Sequence, residues 1–177
     1  MRYGGRIGTA ALALSMIGAG AEAADVRSVY TDLTPAKCQR ASVDRETGAS
    51  ARRCTGVAGY TILAESDDDR ASVTLAASDG RRYPLKFWDV ITPHFSRLGP
   101  RAEWRATKEG APYGLIVRVD TLASAEASKT TSYLAVAKIA PPAVCVTDRI
   151  APGPTANAEA RKAADFAAGK PCLTTYP

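Results

Sequence analysis

Ala102-Glu103-Trp104-Arg105-Ala106-Thr107, the turn Glu109-Gly110 and the run from Tyr113 to Val119 together decide the fold. The hexamer alternates at period two, the spacing at which side chains of an extended chain share a face. The second run centres on Leu115-Ile116-Val117, whose branched side chains fit a pleated, buried surface. Joined by a glycine turn, the two read as successive antiparallel strands. Glu103 and Arg105 flank Trp104 on the opposite face and are expected to cross-pair with neighbouring strands.

The same pattern extends in both directions. Val26 to Leu33 forms a first strand that runs into the Pro35 turn. Gly56 and Gly59 bend the chain into Tyr60 to Ala64, and Ala71 to Ala77 returns after the polar turn Asp67-Asp68-Asp69, giving a hairpin. Asp79-Gly80 leads into Arg82 to Phe87, where Pro84 argues for an edge position because proline cannot donate to a ladder. The stretch Asp89 to Arg101, broken by Pro93, Gly99 and Pro100, reads as a loop holding one helical turn. Thr121 to Thr131 is small and polar, a flexible connection. Tyr133 to Ile139 alternates again, and after Pro141-Pro142 the segment Val144 to Val146 makes a short last strand.

Thr155 to Ala168 differs in kind, being alanine-rich with interspersed charges. Thr155 caps its start, and Gly169 with Pro171 ends it. Ala156, Ala160, Ala163, Ala164 and Ala167 recur at helical spacing and make a narrow apolar face suited to close packing on a sheet. The expected fold is therefore a single α+β domain, a mostly antiparallel β-sheet with a C-terminal α-helix.

Residues 1–23 have the three parts of an export signal: a basic start with Arg2 and Arg6, an uncharged apolar stretch from Ile7 to Ala19, and the A-x-A site Ala21-Glu22-Ala23. The apolar stretch falls short of the roughly 20 residues that a spanning helix needs. Cleavage after Ala23 is expected to leave residues 24–177 as a periplasmic or secreted domain with no membrane span. No cysteine follows the apolar run, so a lipid-modified N-terminus is not indicated. Losing two arginines and one glutamate lowers the formal net charge from +5 to +4. The remaining basic residues sit beside acids, as in Asp44-Arg45-Glu46, and are not gathered with aromatics, which speaks against a nucleic-acid reader.

Cys38, Cys54, Cys145 and Cys172 all lie in the mature part, and an even count in an exported chain reads first as disulfides. Three connectivities exist on paper. Cys38–Cys54 and Cys145–Cys172 are favoured, because near neighbours most easily bring their Cα atoms within disulfide reach. The first bridge would close the polar, flexible segment Gln39 to Arg53, and the second would pin the far end of the helix to the last strand. The intervals are too long for a four-cysteine zinc site, and no C-x-x-C suggests redox chemistry.

Candidate chemistry is sparse. His94 is the sole histidine, so a hydrolase would have to use it as a base beside Asp89 and Ser96. These three are local in sequence, whereas triad members usually come from separated segments, and no G-x-S-x-G elbow is present. Asp67-Asp68-Asp69 lacks the spacing of a calcium loop and reads as a solvated hairpin tip. Trp88, Phe95, Trp104 and Tyr113 are either core or an aromatic platform for a sugar or peptide, with core favoured in a chain of few aromatics. Neither a cofactor nor a metal is indicated.

Val29-Tyr30-Thr31-Asp32-Leu33 followed by Cys38, then Cys54, Glu103-Trp104-Arg105, Tyr113 before an apolar strand, Cys145 and the helix ending near Cys172 resemble a group of small exported bacterial proteins of unknown function. The resemblance spans most of the mature chain. It implies the signal, the staples and the single domain, and carries over no active site. The functional expectation is a non-enzymatic binding or accessory module of the cell envelope, meeting an unknown protein or envelope ligand. The alternative is an inhibitor of an extracytoplasmic hydrolase, for which a rigid stapled scaffold loses little entropy on binding. The mildly positive charge counts against a basic lysozyme as its target.

Overall fold

The computed structural model describes Met1, Gly4 and residues 26–122, 127 and 129–176. The expected signal segment lies outside these residues apart from Met1 and Gly4, as does much of the tip of the Thr121 to Thr131 connection. Ten strands and two helices occur among the described residues. In chain order they are β1 (Arg27–Asp32), β2 (Gln39–Val43), β3 (Ser50–Thr55), β4 (Thr61–Asp67), β5 (Arg70–Ala76), β6 (Arg82–Pro84), α1 (Phe87–Val90), β7 (Ser96–Ala106), β8 (Pro112–Leu122), β9 (Thr130–Ala140), β10 (Ala143–Ile150) and α2 (Ala156–Asp165). No helix among them is long and apolar enough to cross a membrane.

The expectation of one sheet is corrected: the strands form two five-stranded antiparallel sheets, ordered β1-β7-β8-β9-β10 and β2-β3-β4-β5-β6, in a β-sandwich-like arrangement. The reason lies in which faces are apolar. Leu115, Val117 and Val119 of β8 share a core with Ile62 of β4 and Val73 and Leu75 of β5, so each sheet supplies the cover that the other's inner face requires. Trp104 lies at 0% exposure in this core. Its indole Nε1–H donates to Thr31 Oγ1 at 2.9 Å. The Thr31 hydroxyl donates in turn to the Thr55 carbonyl at 2.8 Å, linking β1 of one sheet to β3 of the other. Such a relay satisfies the one polar atom of a deeply buried ring.

Gln39 to Arg53, expected as a flexible segment, is instead the hairpin β2–β3, with Gln39 opposite Arg53. Strand β2 is exposed at every position, so no apolar alternation marked it. Its turn is built by Asp44, whose Oδ1 accepts the backbone N–H groups of Glu46 and Thr47 at 2.8 and 3.1 Å. A second correction concerns Asp89 to Arg101: its first residues complete α1, and Ser96 onward is strand β7. Gly99 and Pro100 are accommodated because the β7–β8 register shifts between Leu98 and Ala102, a bulge where no ladder N–H is needed.

Both disulfides join the favoured partners, Cys38–Cys54 with Cα atoms 4.4 Å apart and Cys145–Cys172 with 5.7 Å. The second carries the C-terminal segment along β10, where Leu173 N–H donates to the Val146 carbonyl at 2.8 Å. Helix α2 lies on the outer face of the β1–β10 sheet, its Ala156, Ala160 and Ala164 packed on Ile116, Leu134 and Val136. Gly114 permits this approach, since a Cβ there would stand 3.3 Å from the Ala164 Cβ. The helix is shorter than its sequence pattern, with Ala167–Gly169 continuing as a 3-10 turn. Thr155 precedes it, but its hydroxyl donates to Glu159 Oε1 and caps no backbone N–H.

Candidate functional site

The outer face of the β1–β10 sheet is polar where the helix leaves it uncovered. Period two places Glu103 and Arg105 of β7 there, away from Trp104. The helix contributes Asn157, Arg161 and Asp165, spaced four residues apart and therefore on one stripe. Arg161 Nε and Nη2 donate to the two Glu103 oxygens at 2.7 and 3.1 Å. Arg105 Nε and Nη2 donate to the two Asp165 oxygens, each at 2.9 Å. Ser28 Oγ joins the pairs, donating to Glu103 Oε1 at 2.6 Å and accepting from Arg105 Nη1 at 2.5 Å. Tyr113 donates its hydroxyl to Asp165 Oδ1 at 2.7 Å, and Arg161 Nη2 also reaches the Tyr30 hydroxyl at 3.2 Å.

Burial makes these pairs consequential, since the Glu103 and Arg105 side chains are only 12% and 10% exposed. Burial alone would push the Glu103 carboxyl up. The hydrogen bonds from Arg161 and Ser28 outweigh it and hold the group below its ordinary range. Asp165 behaves in the same way, with burial opposed by Arg105 and Tyr113. The Tyr113 hydroxyl is pushed up to about 12, first by burial and then by its hydrogen bond to the Asp165 carboxylate. The expectation that Glu103 and Arg105 pair across strands thus needs amending: both reach Ser28 on β1, but their main partners lie on the helix.

Beyond this clasp the face opens into a cleft of about 320 Å³. Ile116 and Leu134 form an apolar part of its lining, and Tyr30 and Pro100 stand beside them. Three guanidiniums line it, those of Arg101, Arg118 and Arg161, against the single carboxylate of Glu103. Arg118 is held by Ser132 Oγ at 2.9 Å and by Asn157 Oδ1 at 3.3 Å. Arg101 lies over the Tyr30 ring, 5.9 Å from its centroid. Guanidinium groups donate in a planar fork and do not deprotonate, so this arrangement suits the binding of an oxyanion.

The residues singled out from sequence fall elsewhere. Trp104 is core, with Tyr60 as its ring neighbour at 6.2 Å. Trp88 lines a shallow groove beside the β2–β3 hairpin, Phe95 a different one beside Leu122, and Tyr113 belongs to the helix clasp. The structure does not bring these four aromatics together into one platform. His94 is exposed, and no hydrogen bond joins its ring to Asp89 or Ser96; the Ser96 hydroxyl instead accepts the Ala71 N–H at 3.0 Å. Asp67, Asp68 and Asp69 form an exposed hairpin tip, with Asp68 and Asp69 at positive φ and Asp68 paired to Arg70 at 3.5 Å.

Sequence reading missed the cleft because its cations come from β7, β8 and α2 and look scattered in the chain. The signals that mark it are Arg101, Glu103 and Arg105 at period two, and Asn157, Arg161 and Asp165 at period four. Comparison of this chain with protein-family models, with curated proteins and with solved structures finds no match.

Proposed function

We propose that this protein is an exported, non-catalytic binding module that works in the periplasm or outside the cell and engages its partner through the cleft between helix α2 and strands β1, β7 and β8. The observation that supports this most is the pinning of Arg118 and Arg161 by neighbouring side chains beside the exposed Tyr30 ring and Pro100. Preorganised donors lose little conformational entropy when a partner arrives. The two disulfides fit an oxidising compartment. The test is retention of envelope components by immobilised wild-type protein and by Arg101→Glu in parallel. A partner held by the wild type and lost from the variant supports the reading, and equal retention refutes it.

The second reading is inhibition of an extracytoplasmic hydrolase by the β2–β3 hairpin. It is favoured by the full exposure of β2 and by the Cys38–Cys54 bridge at the hairpin base, which presents a stiff projecting loop. Assay of envelope hydrolases with the wild type and with a variant whose Asp44 to Gly48 turn is replaced by glycine and serine distinguishes it. Inhibition by the first and not the second would favour this alternative over the cleft. A hydrolase using His94 is the weakest reading, and His94→Ala is expected to leave partner retention unchanged.

A further inference from the structure

We propose that the cleft takes a phosphomonoester carried on an apolar body, an inference that rests on the cleft being the protein's contact surface. Charge balance selects the headgroup. Arg161 is already neutralised by its two bonds to Glu103. Arg118 is not: Nη1 and Nη2 go to uncharged Ser132 and Asn157, and Asp120 is reached only through the Ser132 hydroxyl, which donates to it at 2.5 Å. Arg101 stands opposite Asp32 in the β1–β7 register, but Asp32 Oδ1 accepts the N–H and the hydroxyl of Thr34, at 2.8 and 2.6 Å. Among the described residues neither Arg101 nor Arg118 has an ion pair.

Arg101 feels the Asp32 carboxylate only at a distance, so two guanidiniums without a direct ion pair share one cleft and match an anion of charge near −2. A phosphomonoester carries roughly −1.5 to −2 at neutral pH and offers three acceptor oxygens, whereas a carboxylate carries one charge and two oxygens. Arginine forks bind such oxygens in pairs, which fixes orientation as well as energy.

The floor selects the remainder of the ligand. Ile116 and Leu134 at the base of the lining are already covered by helix α2, at 5% and 4% exposure, so the apolar surface open to a ligand is that of Tyr30, 49% exposed, and the exposed Pro100. An apolar body laid against the Tyr30 ring and Pro100 removes hydrocarbon from water, which inorganic phosphate cannot do. A phosphomonoester on an apolar body exists as a free metabolite-sized molecule or as a lipid headgroup, and the chemistry recognised is the same.

The experiment titrates the purified oxidised protein, at low ionic strength, with hexyl phosphate, hexanoate and inorganic phosphate, and sediments it with phosphatidylcholine vesicles with and without phosphatidic acid. Hexyl phosphate is expected to bind about tenfold more tightly than either other anion, and added salt should weaken it. Arg101→Gln combined with Arg118→Gln should lose about tenfold in affinity, and Arg101→Gln alone, at an exposed position and therefore expected to keep the fold, a smaller part of it. Co-sedimentation only with phosphatidic acid identifies a lipid source. Hexyl phosphate binding without co-sedimentation identifies a free one, and both outcomes support the shared chemistry. Absence of hexyl phosphate binding, hexanoate binding as tightly, or unchanged affinity in the variants overturns it. If Arg101→Glu abolishes partner retention while hexyl phosphate does not bind, the ligand chemistry fails and the cleft reading stands. If hexyl phosphate binds but partner retention is unaffected, the reverse holds.

Discussion

Arg105 on strand β7 and Asp165 near the end of helix α2 meet through two parallel hydrogen bonds of 2.9 Å each. The pair fastens an alanine-faced helix to a sheet where little apolar area is available to do so. Asp165→Asn is therefore expected to destabilise the protein by about 1–3 kcal/mol, because it removes the bidentate carboxylate from the buried Arg105 charge and leaves only the more distant Glu103 at 3.8 Å. Urea denaturation measures this. A change within about 0.5 kcal/mol, the range of an ordinary surface substitution, would mean that the pair does not hold the helix.

The same carboxylate adds to burial in raising the Tyr113 titration. With a folded value of about 12 against an ordinary 10.0, Tyr113 contributes stability that is complete below pH 10 and is lost as pH rises toward 12. Tyrosinate absorbance should show late-titrating tyrosines in the wild type, Tyr113 and the partly buried Tyr60 among them. In Asp165→Asn the Tyr113 titration should fall part of the way toward its ordinary value, with burial keeping the rest, and an unmoved titration would show that Asp165 is not its acceptor.

At acid pH the sign reverses. Glu103 and Asp165 are held below their ordinary values of 4.5 and 3.8, so what they add to stability is complete above those values and is lost as pH falls through the lowered folded ones. Glu103→Gln should flatten the acid limb of stability against pH below 4.5. Parallel limbs for variant and wild type would assign acid sensitivity to other carboxylates.

Gly56 is packed against the chain so tightly that a Cβ there would lie 2.3 Å from the Tyr60 carbonyl oxygen and 3.1 Å from the Trp104 ring. Gly56→Ala must shift backbone or the buried indole, and is expected to cost about 1–3 kcal/mol with an altered near-ultraviolet dichroism signal. Wild-type stability in this variant would contradict the placement of Trp104 at the centre of the sandwich.

Replacing Cys145 and Cys172 together by serine should cost about 3 kcal/mol. Hydrogen exchange is expected to rise from Lys170 onward, where Leu173 pairs with Val146, while β8 and β9 stay protected. Loss of protection throughout the sheet would show that the bridge stabilises the whole fold and not only its C-terminal segment.

The strands that bury their faces were readable: Leu115, Val117 and Val119 are covered by the opposite sheet and Ile116 by helix α2, and burial on both faces makes the apolar run that the sequence displays. Strand β2 was not, because neither of its faces is covered and its position is fixed by a bridge and an aspartate turn. Division into two sheets was also hidden, since alternation marks a strand without saying which strand it pairs with. Sequence proximity sufficed for the disulfides. The cleft was unreadable for a different reason: Arg101, Arg118 and Arg161 become neighbours only after a hairpin and a helix fold back on one face.

The most direct measurement places a photoreactive phenylalanine analogue at Tyr30, in the cleft, or at Thr47, in the turn of the β2–β3 hairpin, and illuminates cells exporting either protein. The account predicts a discrete crosslinked species from position 30 and none from position 47. Crosslinking from the hairpin turn alone would contradict it and move the contact surface to the other sheet.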